Sequence, residues 1–168
     1  MAEVTTALIK ELREATGAGV MDAKRALEEA GGDIAGATAI LRERGVAAAA
    51  KRADRATLQG VIESYIHGGG RIGVLVELNC ETDFVANTED FRKLARDIAM
   101  QVAAMAPKVV SVEDRTPDLE GSDAEVVLLS QPFIREPGRT IGDLVKDLIA
   151  KTGENVRVRR FARFELGQ

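Results

Sequence analysis

Cysteine, tryptophan, histidine and tyrosine are almost missing from this 168-residue sequence, which has one Cys, no Trp, one His and one Tyr. A lone cysteine, Cys80, cannot close an internal disulfide, and this fits a reducing compartment. It continues an apolar alternation and reads as a small buried hydrophobe rather than a nucleophile. His67 stands beside a glycine-rich turn. With no second His and one distant Cys, a triad or zinc site would have to be built almost entirely from carboxylates. No catalytic residue, metal ligand or cofactor is therefore expected, and the chain is read as a non-enzyme. No run approaches about 18 apolar residues, and no apolar N-terminal segment precedes a cleavage-like site. A soluble, cytoplasmic protein without a membrane partner is expected. A basic excess is also lacking: the net charge is −4, which argues against nucleic acid as the main partner. No Walker A sequence occurs, so direct nucleotide binding is not expected.

What is present divides into three stretches. Residues 1–45 carry three short helical stripes and are read as a three-helix docking module. Val4, Leu8 and Leu12 mark the first, with Thr5 as N-cap. Thr16-Gly17-Ala18-Gly19 breaks it. Val20, Ala23, Leu27 and Ala30 mark the second, which Gly31-Gly32 end. Asp33 caps a third bearing Ile34, Ala37 and Leu41, with Gly45 expected to close it. Residues 46–56, rich in Ala with Lys51, Arg52 and Arg55, read as a linker with helical potential.

Residues 57–168 are expected to form an α+β core domain. Ile72, Val74, Val76, Leu78 and Cys80 alternate without a miss, and Val61–Ile66 supplies a partner strand across Gly68-Gly69-Gly70. A long helix is predicted from about Asn87 to Ala106, with Phe91, Leu94, Ile98, Val102 and Met105 on one face and Pro107 as its stop. Residues 108–139 read as mostly irregular, with a short helix near Ala124–Leu129. Thr140 caps a last helix that ends at Gly153. A strand from Asn155 to Leu166 closes the chain, with Val156, Val158, Ala162, Phe164 and Leu166 expected on one face. The order predicts an antiparallel three-stranded sheet packed with helices.

Three features invite a functional reading. Gly68-Gly69-Gly70-Arg71-Ile72-Gly73 matches G-x-G-x-x-G, but it leads into a strand rather than a helix, so it reads as a hairpin turn and not a dinucleotide site. Arg157, Arg159 and Arg163, interrupted by Phe161, are expected on the other face of the last strand, where they could bind RNA or form a solvated or partner-covered surface. Asn79 to Ala86 leaves a buried strand and precedes a long helix. It reads either as a β-to-α connection in which Thr82 caps, Asp83 bonds amides and Phe84 enters the core, or as a tip that offers an apolar wedge beside a carboxylate.

These residues together resemble the translation elongation factor Ts family. The resemblance rests on Leu8–Glu14 with Thr16-Gly17-Ala18-Gly19 and Met21-Asp22, on Lys24-Arg25-Ala26-Leu27 with Gly32-Asp33-Ile34, on the hallmark Thr82-Asp83-Phe84-Val85, and on Gln131-Pro132-Phe133, Thr140 and Arg160–Gly167. Val20 and Ala23 depart from the family's frequent Met and Cys but stay apolar; Asn87-Thr88 replaces a frequent basic residue. The resemblance implies a ubiquitin-associated-like N-terminal module and guanine nucleotide exchange on elongation factor Tu. It further implies that Arg13, Val20 and Met21 dock on that GTPase, while Thr82, Asp83, Phe84 and Val85 disturb its magnesium site. Beside the family's longer members the chain holds one core half, and the resemblance to the short members implies a homodimer built through the core domain, residues 57–168.

Overall fold

The computed structural model describes residues 4–168; the first three residues of the predicted module lie outside them. Three helices open the chain: α1 (Thr6–Thr16), α2 (Val20–Glu29) and α3 (Ile34–Arg52). Thr5 caps α1 by accepting from the Leu8 amide at 3.3 Å, and Asp33 caps α3 by accepting from the Gly36 amide at 2.7 Å. Each satisfies one of the donors that a helix N-terminus leaves free. Leu12, Ala23, Ala26, Leu27 and Ala37 form a small core of their own. Val20, expected on the buried stripe of α2, is instead 50% exposed. It is the first residue of the helix, and the buried positions are Ala23, Ala26 and Leu27.

Gly45 does not close the third helix, which runs seven residues further to Arg52 and absorbs most of the predicted linker. Gly45 is buried, and a Cβ there would lie 3.0 Å from the Cβ of Ala150. The missing side chain serves a close helix–helix approach, not a terminus. Ala49, one turn on, belongs to the core of the following domain.

The α+β core follows. Strands β1 (Gln59–His67), β2 (Ile72–Cys80) and β5 (Val156–Glu165) form an antiparallel sheet in the order β1-β2-β5. Gly68, Gly69 and Gly70, all at positive φ, make the β1–β2 turn, so the apparent dinucleotide motif is a hairpin. Val74, Val76, Leu78 and Cys80 point to one face and share a core with α5 (Glu89–Met105), which packs on them, and with α7 (Ile141–Thr152), which packs on β5. The long helix starts two residues later than predicted, because a one-turn helix α4 (Asp83–Ala86) precedes it and Thr88 caps it. Phe91, Ile98 and Val102 are fully buried, each contributing about 1.5–3 kcal/mol of burial.

Two expectations are corrected here. Residues 108–139 are more ordered than predicted. They hold α6 (Asp123–Val126), two short 3-10 turns, and a hairpin of β3 (Pro132–Phe133) with β4 (Glu136–Thr140). The buried amides of Gln101 and Gln131 hold this stretch down. Gln101 donates to Gln131 Oε1 and to the Pro132 carbonyl and accepts from the Ile134 amide, while Gln131 donates to the Glu125 carbonyl. The second correction concerns β5. Glu77 pairs with Arg160 and Leu78 with Val158, so Arg159 is an extra residue, a β-bulge. Beyond it the faces exchange. Val156, Val158, Phe161 and Arg163 stand opposite the core-facing residues of β2, whereas Ala162 and Phe164 face outward and Phe164 is 71% exposed. Arg157, Arg159 and Arg163 therefore do not share a face. Arg163 turns inward to the Ala103 carbonyl and Glu165.

Candidate functional site

The end of β2 runs directly into the Thr82–Val85 segment. Thr82 has extended dihedrals and caps α4; its Oγ1 accepts from the Val85 amide at 3.4 Å. One helical turn then splits the four predicted residues by face. Val85 is 8% exposed and Ala86 is buried, anchoring the turn in the main core, whereas Phe84 is 83% exposed. The core-filling alternative for Phe84 is thus excluded. The Asp83 carboxylate is also exposed and makes no hydrogen bond among the described residues; the expected bonds from backbone amides to it are not formed. Only its carbonyl is used, accepting from the Asn87 amide at 3.0 Å. A bare aromatic ring beside a bare carboxylate, on a capped and anchored turn, is a surface built for contact rather than for internal packing.

Beneath the tip, three segments meet. Glu154, in the turn after α7, accepts from the Glu81 amide at 3.2 Å and the Thr82 amide at 3.0 Å through Oε2, and from the Thr82 hydroxyl at 2.6 Å through Oε1. In return Glu81 accepts from the Asn155 amide at 2.6 Å and faces Arg55 at 3.5 Å. The buried Asn155 side chain donates to the Ala53 and Arg55 carbonyls just past α3. Sequence reasoning missed Glu81, Glu154 and Asn155 as site residues. They lie outside every periodic stripe, and the bonds that join Glu81 and Thr82 to Glu154 and Asn155 span more than 70 positions in sequence. Cys80, fully buried, donates its Sγ–H to the Thr82 carbonyl. Burial first, then the Glu154 charge, pushes its thiol up to about 11.

The second predicted patch surrounds the α1–α2 corner. Val20 and Met21 are 50% and 58% exposed, and Arg13 Nε donates to the Ala18 carbonyl at 3.2 Å. The structure thus gathers Arg13 to the loop that leads into Val20 and Met21. Lys151 connects this corner to the tip region. Its aliphatic stem passes within 3.0 Å of where a Gly17 Cβ would stand, and its Nζ pairs at 2.5 Å with Asp90 in the first turn of α5.

Among the described residues no helix is long and apolar enough to cross a membrane. The family model described as Elongation factor TS matches residues 3–120, including both patches. The chain belongs to the elongation factor Ts family. It is similar over its whole length to proteins of that name. One from Carboxydothermus hydrogenoformans is 52% identical, covering 98% of this chain and 90% of the relative. One from Caldanaerobacter subterraneus subsp. tengcongensis is 50% identical, covering 98% of each. One from Coprothermobacter proteolyticus is 46% identical, covering 99% of this chain and all of the relative. The first of these alignments runs over 195 positions, more than the 168 residues here, so that relative carries residues this chain lacks.

Proposed function

We propose that this chain is a guanine nucleotide exchange factor for elongation factor Tu in the cytoplasm, acting without making or breaking a covalent bond and without binding nucleotide itself. The single observation that carries the reading is Phe84: an 83% exposed aromatic in the family's hallmark, on a turn whose next two residues are buried. In this reading Arg13, Val20 and Met21 dock on the nucleotide domain of the GTPase. Phe84 wedges between helices of the GTPase near its magnesium. Thr82 caps and Val85 anchors the turn, and the Asp83 carboxylate adds negative charge beside the ring.

The energetics follow from linkage. A factor that binds the nucleotide-free GTPase more tightly than the GDP complex weakens GDP by the same ratio. Each tenfold loss of GDP affinity requires about 1.4 kcal/mol. Burial of one aromatic ring contributes roughly 1.5–3 kcal/mol, so the wedge accounts for about one to two powers of ten and the docking patch must hold it in place. Displacing magnesium removes the charge that neutralises the GDP phosphates, and release speeds up.

The outer face of the sheet supports a homodimer. Ile62 and Ile66 of β1, Leu75 of β2 and Phe164 of β5 are all exposed there, and among the described residues no helix covers them. A second copy would bury this face against its own counterpart, giving a two-sheet core with α5 and α7 on the outside.

The deciding experiment is release of a fluorescent GDP analogue from elongation factor Tu, with wild type and with Phe84→Ala. Fast release with the first and little with the second is expected. No acceleration by the wild type overturns the reading.

A further inference from the structure

We propose that Glu154 is a positioning residue for the Thr82–Val85 tip, acting through Thr82 rather than by touching the GTPase. The inference rests on the exchange reading for its effect on rate, and on geometry alone for its effect on the tip. The tip needs a rigid base, because a ring on a frayed four-residue helix would lose its direction; a helix this short is not stable by itself. Val85 and Ala86 fix one side of the turn by burial. The other side is fixed by Glu154. Its two carboxylate oxygens take three donors from two successive residues, Glu81 N, Thr82 N and Thr82 Oγ1. Charge-assisted bonds of this kind are short and roughly twice as strong as neutral ones.

The third bond has a directional consequence. A hydroxyl has one proton and two lone pairs. With the proton donated to Glu154 Oε1, a lone pair of Thr82 Oγ1 is left to accept from the Val85 amide at 3.4 Å, which is the cap of α4. Glu154 thus orients the cap, and the cap orients the residue that follows Asp83. Glu154 is itself held in place. Gly153 ends α7 in the left-handed conformation, the Glu154 amide donates to Thr152 Oγ1, and Asn155 bonds to Glu81 and to the segment after α3. The same junction therefore joins the long helix of the docking module to the tip, so that the two contact patches keep a set relation.

The test uses Glu154→Ala, Glu154→Gln and Phe84→Ala in the full chain, singly and with Phe84→Ala added to each Glu154 variant. The free protein is examined by amide hydrogen exchange, and GDP release from elongation factor Tu is titrated with factor. In Glu154→Ala the Glu81 and Thr82 amides are expected to exchange about tenfold faster or more, while amides in the middle of α5 keep their protection. The maximal release rate is expected to fall about three- to tenfold with the half-saturating concentration within about twofold, and the loss to vanish in the Phe84→Ala background, as coupled residues require. Glu154→Gln keeps one carbonyl for the two amides but presents an NH2 to the Thr82 hydroxyl. It should give an intermediate rate, and it carries the test if the alanine variant does not fold. Unchanged amide exchange at residues 81–82 overturns the proposal. So does a rate loss in the Glu154 variants that persists undiminished without the Phe84 ring. If the wild type itself does not speed GDP release, the exchange reading fails, and hydrogen exchange still decides whether Glu154 holds the tip.

Discussion

Phe84 and Val85 are neighbours with opposite fates, one facing solvent and one sealed in the core. Truncating the exposed ring removes no core packing, so Phe84→Ala is expected to melt within about 0.5 kcal/mol of wild type, as surface changes do. Val85→Ala is expected to cost about 1–2 kcal/mol, through lost burial. Thermal unfolding of the two variants checks the contrast; an unfolded Phe84→Ala would put the ring back in the core. Cys80 gives a pH prediction. In the folded chain burial holds its thiol up at about 11, above the ordinary value of 9.0 that applies when the chain is unfolded. A thiol whose value is raised by folding contributes stability that is complete below the unfolded value and is lost as pH rises toward the folded one. The contribution of Cys80 is therefore constant to about pH 9 and declines between 9 and 11. Denaturant titrations of wild type and Cys80→Ala across that window should show a smaller alkaline loss in the variant. At neutral pH the native thiol should resist alkylation until the chain is unfolded.

At the scale of elements, two glycines act by what they lack. Gly60 pairs with Asn79 where β1 runs close against β2. A Cβ there would come within 2.1 Å of the Leu78 carbonyl oxygen and 2.8 Å of the Asn79 Cα, and its φ is +152°. Neither neighbour is a flexible side chain that can swing away. Gly60→Ala is expected to destabilise by at least about 1–3 kcal/mol, read from the denaturation midpoint; a neutral effect would mean that the two strands can part at no cost. Gly45 has the same role between α3 and α7. Gly45→Leu should force the helices apart and loosen the module from the core, visible as faster amide exchange in the second half of α3. The last helix, in contrast, is set by local chemistry. The Thr140 hydroxyl accepts from the Asp143 amide, the Asp143 carboxylate accepts from the Thr140 amide, and that backbone bond holds the Asp143 carboxyl below its usual range.

At the scale of the whole molecule, the sheet is covered on one face, while its other face carries exposed apolar side chains beside the ion pairs of Glu77 with Arg159 and Arg160. Ile62, Ile66, Leu75 and Phe164 form the uncovered side, and exposed apolar surface of this kind marks an interface. A dimer in solution is expected, and Leu75→Glu should convert it to a folded monomer, because it places a charge among the exposed apolar side chains and Leu75 is not part of the buried core of its own chain. Sedimentation equilibrium distinguishes the two states, and a wild-type chain that is monomeric at micromolar concentration would remove the dimer from the scheme. In the proposed exchange scheme, docking and wedging also separate at this scale. Arg13→Ala with Met21→Ala should raise the half-saturating factor concentration about tenfold, within the range of interface truncations, and leave the maximal release rate in place. The Phe84→Ala profile should be the reverse.

Periodicity and local chemistry made much of this protein legible before its structure. The unbroken alternation from Ile72 to Cys80 gave β2 with its bounds, the triple glycine gave the turn, and Thr5, Asp33 and Thr140 were found as caps, because each of these is decided by residues within a few positions of one another. Family motifs marked the Thr82–Val85 segment. Local sequence could not tell whether Phe84 pointed in or out, since one helical turn admits either face. Nor could it show that Gly45 is a contact and not a stop, or that the extra Arg159 turns Arg163 inward and Phe164 outward, because both depend on a partner element distant in the chain. The ordering of residues 108–139 by Gln101 and Gln131, and the seating of the tip on Glu154 and Asn155, likewise needed the folded chain. The sequence alone determined the elements and the residues offered for contact. The tertiary structure decided their faces and supports, since side-chain hydrogen bonds between remote segments leave no period to read.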